Sequence, residues 1–190
     1  MRREILAVPV LLAMAGCGSP TSSTLVPSPT PPPPNVAGSY SGTYTITACG
    51  NTGDFQSGGF CKAFAVGTLL PVSLTLTQTG ANLSGSLVEG QALTPVTGSV
   101  DGSGRITLNG STSFEGITAQ LVGWDTTVSG TGMVGSWNTV WSSSILSGGA
   151  QTVQTMDGVS KTAGLPQRVA SARADRPFSS FLEVFDAMTR

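Results

Sequence analysis

The chain reads as an all-β protein, a small antiparallel up-and-down barrel of eight to ten strands. Three observations predict this. Apolar and Ser/Thr positions alternate with period two through the middle of the chain, as in strands with one buried and one wet face. Short Gly-containing turn signals separate these runs every 8 to 12 residues. A five-residue unit (apolar, Ser/Thr, Gly, Ser/Thr, apolar) recurs at residues 40–44, 83–87 and 96–100, and more loosely at 133–137. Its glycine lies on the apolar face. An interior glycine weakens an open strand but permits the close approach that barrel closure needs. A two-sheet β-sandwich is the alternative.

The elements follow in order. At residues 40–48 the even positions Tyr40, Gly42, Tyr44, Ile46 and Ala48 are apolar or Gly, and the odd ones are all Ser or Thr. A short strand is expected at 61–66. Val72, Leu74 and Leu76 alternate with Ser73, Thr75 and Thr77, behind Pro71, which a strand start tolerates. Further strand windows are 83–88, 96–100, 105–111, 117–123, 128–137, 139–146 and 151–156. Turn chemistry lies at Gly80, at Glu89-Gly90, at Asp101-Gly102-Ser103-Gly104 and at Ser147-Gly148-Gly149. The count is about nine strands, in a domain spanning residues 38–157.

This run of SGS and SGT strands resembles the small up-and-down barrels of the avidin and lipocalin type. The resemblance is one of texture and carries no family-specific motif. It implies one small ligand in the barrel mouth. Trp137 shares its parity with Met133 and should face inward, as should Tyr40 and Tyr44 on the first strand. Closure makes the first and last strands neighbours. Tyr40, Tyr44, Met133 and Trp137 are therefore candidates to line a cavity, against the alternative of plain core packing.

The chain begins differently. Arg2 and Arg3 precede an apolar run from Ile5 to Met14, then Ala15, Gly16 and Cys17. Ten residues cannot cross a bilayer as a helix, which takes about 20; a basic start, short apolar core and small-residue end describe a secretory signal. Met14-Ala15-Gly16-Cys17 resembles the lipobox of bacterial lipoproteins, with Met14 where Leu is usual. The resemblance implies cleavage after Gly16, lipid on Cys17 and a signal peptide of residues 1–16. By the same resemblance, Gly18 in place of Asp implies the outer membrane if the host is Gram-negative. Residues 17–37 then form a tether. Ser19 to Ala37 carries seven prolines and no charge, and Pro31 to Pro34 should be polyproline II.

Residues 158–190 form the tail: a loose connector, then a short amphipathic helix. Phe178, Phe181, Leu182, Phe185 and Met188 lie at helical spacing, and Ser180 with Glu183 fits a capping box. With Cys17 lipidated, Cys49 and Cys61 remain as an even pair in an exported protein, and a disulfide is expected. Within their loop, Phe55 and Phe60 either mark a contact surface or fold back onto the barrel.

Composition excludes several chemistries. Ser and Thr number 48, Lys and Arg only 9, and His is absent. Nine scattered cations make no nucleic-acid face. Without His there is no Ser-His-Asp or Cys-His catalysis and no His-ligated metal. Residues 130–135 fit GxGxxG literally, but strand rather than helix should follow, so the glycines belong to the barrel. Asp54, Glu89, Asp101, Glu115, Asp125 and Asp157 are scattered, with Glu89 and Asp101 expected in turns. A hydrolase using two of them is the third reading. No cofactor and no metal is expected. The leading expectation is a non-catalytic, lipid-anchored envelope protein whose barrel binds a small or apolar ligand. The runner-up is a solid-cored lipoprotein that contacts an envelope partner.

Overall fold

The computed structural model describes residues 31–64, 66–67, 69–89, 92–114 and 116–162. Eight strands run β1 (Gly38–Gly53), β2 (Leu69–Thr79), β3 (Asn82–Glu89), β4 (Ala92–Val100), β5 (Arg105–Phe114), β6 (Ile117–Ser129), β7 (Gly132–Ser143) and β8 (Gly148–Lys161). Each pairs antiparallel with its sequence neighbours, and β1 pairs with β8, which closes the barrel. The sandwich alternative falls away. Two four-residue helices, α1 (Asp54–Ser57) and α2 (Phe60–Ala63), lie between β1 and β2.

Period two explains the core directly. Tyr40, Tyr44 and Ile46 of β1, Leu74 and Leu76 of β2, Leu83 and Leu87 of β3, and Met133 and Trp137 of β7 all point inward and are buried. The Ser and Thr between them face water. The repeat glycines sit where strands coil tightly. A Cβ on Gly85 would run into the carbonyl oxygen of Thr75, and one on Gly98 into that of Thr107. Close backbone approach accounts for the repeat.

Several expectations are corrected. The windows 117–123, 128–137 and 139–146 are two strands, not three. Gly130, at φ 61°, makes the turn that the window 128–137 runs across. The strand expected at 61–66 begins as helix α2, which buries Phe60 against Trp141 of β7 instead of pairing in the sheet. The barrel ends at Lys161 rather than at residue 157, since Gly132 and Met133 of β7 pair with Ser160 and Val159. The signal peptide, Cys17 and the amphipathic segment 178–190 lie outside the described residues.

The stretch expected as a tether through residue 37 is docked on the barrel over its described residues. Residues 31–37 dock across one end of the barrel as a strap. Val36 is fully buried, and its N–H donates to Gln78 Oε1 at 2.7 Å. The Tyr40 hydroxyl donates to the Val36 carbonyl at 2.8 Å, and Gln78 Nε2 donates to the Pro34 carbonyl at 3.1 Å. One apolar side chain and three hydrogen bonds hold a segment that has no periodicity of its own. The chain leaves β8 at the same end, where Thr162 N–H donates to the Ser39 carbonyl at 2.8 Å.

Candidate functional site

The opposite end carries the site. Its rim is uneven: β1 and β8 have 16 and 14 residues, β3 and β4 only 8 and 9. The last β1–β2 pair is Thr45 with Leu69, so the remainder of β1 rises beside β8 as a tall wall. The segment bearing α1 and α2 folds over this wall as a lid. Phe55 and Phe60 are fully buried against Ile117, Ala119, Trp141 and Ala150. They fold back onto the barrel and do not form an exposed surface.

Two local devices fix the lid. Cys49 and Cys61 are disulfide-bonded, with their Cα atoms 5.6 Å apart. Asp54 Oδ2 accepts from Ser147 N–H at 2.7 Å, while Asp54 N–H donates to the Ser147 carbonyl at 3.1 Å. These bonds hold the Asp54 carboxyl below its usual range. Phe60 packs on Trp141 at 5.5 Å and on Phe64 at 4.5 Å.

The lid leaves a recess over the low wall. The rings of Tyr44, Phe64 and Trp141 border it, and Glu89, Thr94, Thr112, Thr139 and Gln154 supply its polar groups. Its free space is about 20 Å³. Room for one water takes about 10–15 Å³, and pockets for drug-sized ligands run to about 300–1,000 Å³. The recess is therefore the size of a single small polar group.

One part of this polar set is satisfied internally. Trp141 Nε1 donates to Thr152 Oγ1 at 3.3 Å. Thr152 and Thr139 hydroxyls donate to the Gln154 carbonyl oxygen at 2.7 and 3.0 Å, and the Gln154 amide nitrogen donates to the backbone carbonyls of Trp137 and Thr152. The other part is not satisfied. Among the described residues Trp137 Nε1 is buried with no acceptor in hydrogen-bonding geometry. Thr94 and Thr112 make no side-chain hydrogen bond among the described residues.

Glu89 is the residue that sequence reasoning misplaced. It was expected in a turn, yet it ends β3 with the same parity as Leu83 and Leu87, so its side chain turns inward. Burial pushes its carboxyl up to about 7, and the nearby Trp137 indole N–H pulls the other way. Its charge, added to burial, raises the Tyr44 phenol far above its usual range. Among the described residues Glu89 has no ion-pair partner; the ion pair there is the exposed Arg105–Asp125 contact at 2.7 Å.

The four aromatic and Met candidates divide. Tyr44 borders the recess. All four belong to the main apolar cluster, but Tyr40, Met133 and Trp137 lie outside the lining of the recess. Tyr40 is turned toward the strap, and Trp137 stacks on Trp124 at 4.9 Å and meets Tyr44 at 5.5 Å. Residues 130–135 form a β-turn and the start of β7, so GxGxxG has no helix to place at a phosphate. Asp101 caps its own turn, accepting from Ser103 and Arg105 N–H groups at 2.8 and 3.0 Å.

No family model matches the chain, and neither the curated proteins nor the solved structures give a match. The fold and the site's own chemistry carry the functional reading.

Proposed function

We propose that the chain is a non-catalytic, lipid-anchored protein of a bacterial cell envelope, whose barrel is a self-sealed display domain that meets a partner with its lid end. The observation that carries this reading is the placement of the chain ends. The strap and Thr162 leave from one end of the barrel, and the lid and recess occupy the other. With lipid on Cys17, residues 18–30 would reach at most about 40 Å at about 3.1 Å per polyproline II residue. The strap end then faces the membrane and the lid end faces outward.

The size of the recess favours a solid-cored domain over a carrier of an apolar ligand. The carboxylates also favour a non-catalytic role: Asp54, Asp101 and Asp125 are engaged in a lid contact, a turn and an ion pair. A second reading, a small polar group held at the recess, is favoured by the Glu89 carboxyl and the neighbouring unbonded hydroxyls.

Metabolic labelling with palmitate in a Gram-negative host tests the anchor. The wild-type chain should take up label and fractionate with membranes. Cys17→Ser should do neither. A wild-type chain that is exported, unlabelled and soluble would remove the anchor from the account.

A further inference from the structure

Most of the barrel interior obeys one rule, apolar residues inside and Ser/Thr outside. The recess breaks it. A carboxyl is drawn inside without a counter-charge, which is costly unless something compensates it. Three aromatic rings stand around it. The hydroxyls of Thr94 and Thr112 have acceptor lone pairs and no side-chain hydrogen bond among the described residues. Of the described cations, Arg105 pairs with Asp125, Lys161 lies over the Tyr40 ring at the strap end, 6.0 Å from its centroid, and Lys62 is exposed on α2 and forms no ion pair with Glu89 among the described residues.

We propose that the recess is a subsite for a small primary ammonium group, either a free alkylamine or the tip of a lysine-like side chain. The Glu89 carboxylate supplies the opposite charge. The rings of Tyr44, Phe64 and Trp141 border the recess, and their π-systems would attract a desolvated cation there. The Thr94 and Thr112 hydroxyls accept two of the three ammonium hydrogens. An ammonium head is close to water in size, which fits the space in the recess. A carboxylate guest would meet Glu89 as a like charge, and a larger quaternary ammonium would not enter. The inference goes beyond the anchoring proposal and does not depend on it.

The test uses the full chain with Cys17→Ser, titrated with methylammonium chloride at constant ionic strength. Binding is read from the indole N–H of Trp141 and the side-chain amide of Gln154 by NMR. Saturable shifts with half-saturation in the low-millimolar range, on the order of 1–20 mM, are expected for so small a ligand at pH 8.5. Only the ionised carboxyl binds. With Glu89 titrating at about 7, affinity should fall about thirtyfold at pH 5.5. Glu89→Gln should abolish binding at both pH values. The pH series on the unsubstituted recess gives the same answer if that variant folds poorly. Absence of saturation up to about 200 mM, affinity indifferent to pH, or equal shifts with sodium chloride or methanol would each overturn the proposal. A lysine-bearing peptide that competes with methylammonium would identify a side chain as the source, and one that fails to compete would leave the free amine.

Discussion

The Tyr40 hydroxyl donates to the Val36 carbonyl at 2.8 Å, which ties the first barrel strand to the strap lying across its own end. The ring that anchors this bond is 1% exposed, so the contact lies beneath the strap and not on its surface.

Shortening Val36 should therefore loosen that end. Val36→Ala removes about two methylene equivalents of buried surface, or about 1.5–2 kcal/mol. Tyr40→Phe leaves the Val36 carbonyl without its donor and should cost about 1 kcal/mol. Urea unfolding of both variants checks the values. Proteolysis within residues 31–37 should accelerate more than cleavage elsewhere, because these residues have no ladder of their own.

The disulfide should stabilise the whole domain while acting locally on the lid. Replacing Cys49 and Cys61 by Ser should cost about 3 kcal/mol on the chain-entropy account for a loop near this length. Hydrogen exchange should quicken first at Lys62 to Phe64, whose amides donate to the Gly59 and Phe60 carbonyls of the lid itself.

Gly85→Ala should cost on the order of 2–3 kcal/mol, because its Cβ meets the Thr75 carbonyl oxygen and backbone must move. Gly50→Ala is the control. A Cβ there meets nothing within 4 Å, and the change should be near neutral. Thermal melts of the two variants should separate clearly.

Glu89 gives the fold an unusual pH dependence. Its folded pKa, about 7, stands above the ordinary 4.5. Below about 4.5 the carboxyl is protonated in both states and costs nothing. As pH rises toward 7 the unfolded chain releases its proton and the folded one holds it, so stability declines, and above 7 the full penalty applies. Allowing for partial exposure, the penalty is on the order of 2–3 kcal/mol. Asp54, Asp101 and Asp125 act oppositely: their lowered pKa values add stability that is lost in stronger acid. Stability of wild type minus Glu89→Gln, measured by denaturant between pH 4 and 8.5, isolates the Glu89 contribution. The difference should change across pH 4.5–7 and stay level above it.

Much of the barrel was legible because its alternation is nearly unbroken. Tyr40 to Ala48 and Val72 to Thr77 each declare a buried and a wet face, and the repeat glycines at 85 and 98 declare close packing. The strand windows at 117–146 blurred because Gly130-Thr131 interrupts the chain without interrupting the alternation. Helices of four residues carry too few positions for a period, so the lid was invisible except through its cysteines. The strap shows only one buried apolar residue, Val36, among prolines that read as a spacer. Glu89 was readable from parity with Leu83 and Leu87; its adjacent Gly90 made the turn reading more attractive. Recess and lid depend on unequal strand lengths, and alternation does not fix where a strand ends.

The central claim is that the barrel core is solid, with room at the recess for one small group and none for an apolar ligand. Native mass spectrometry of the exported full chain with Cys17→Ser, purified gently, tests it most directly. The account predicts the bare protein mass, less two hydrogens for the Cys49–Cys61 bond. A reproducible excess mass larger than that of a small amine, lost on denaturation, would contradict it and would restore the ligand-carrying barrel.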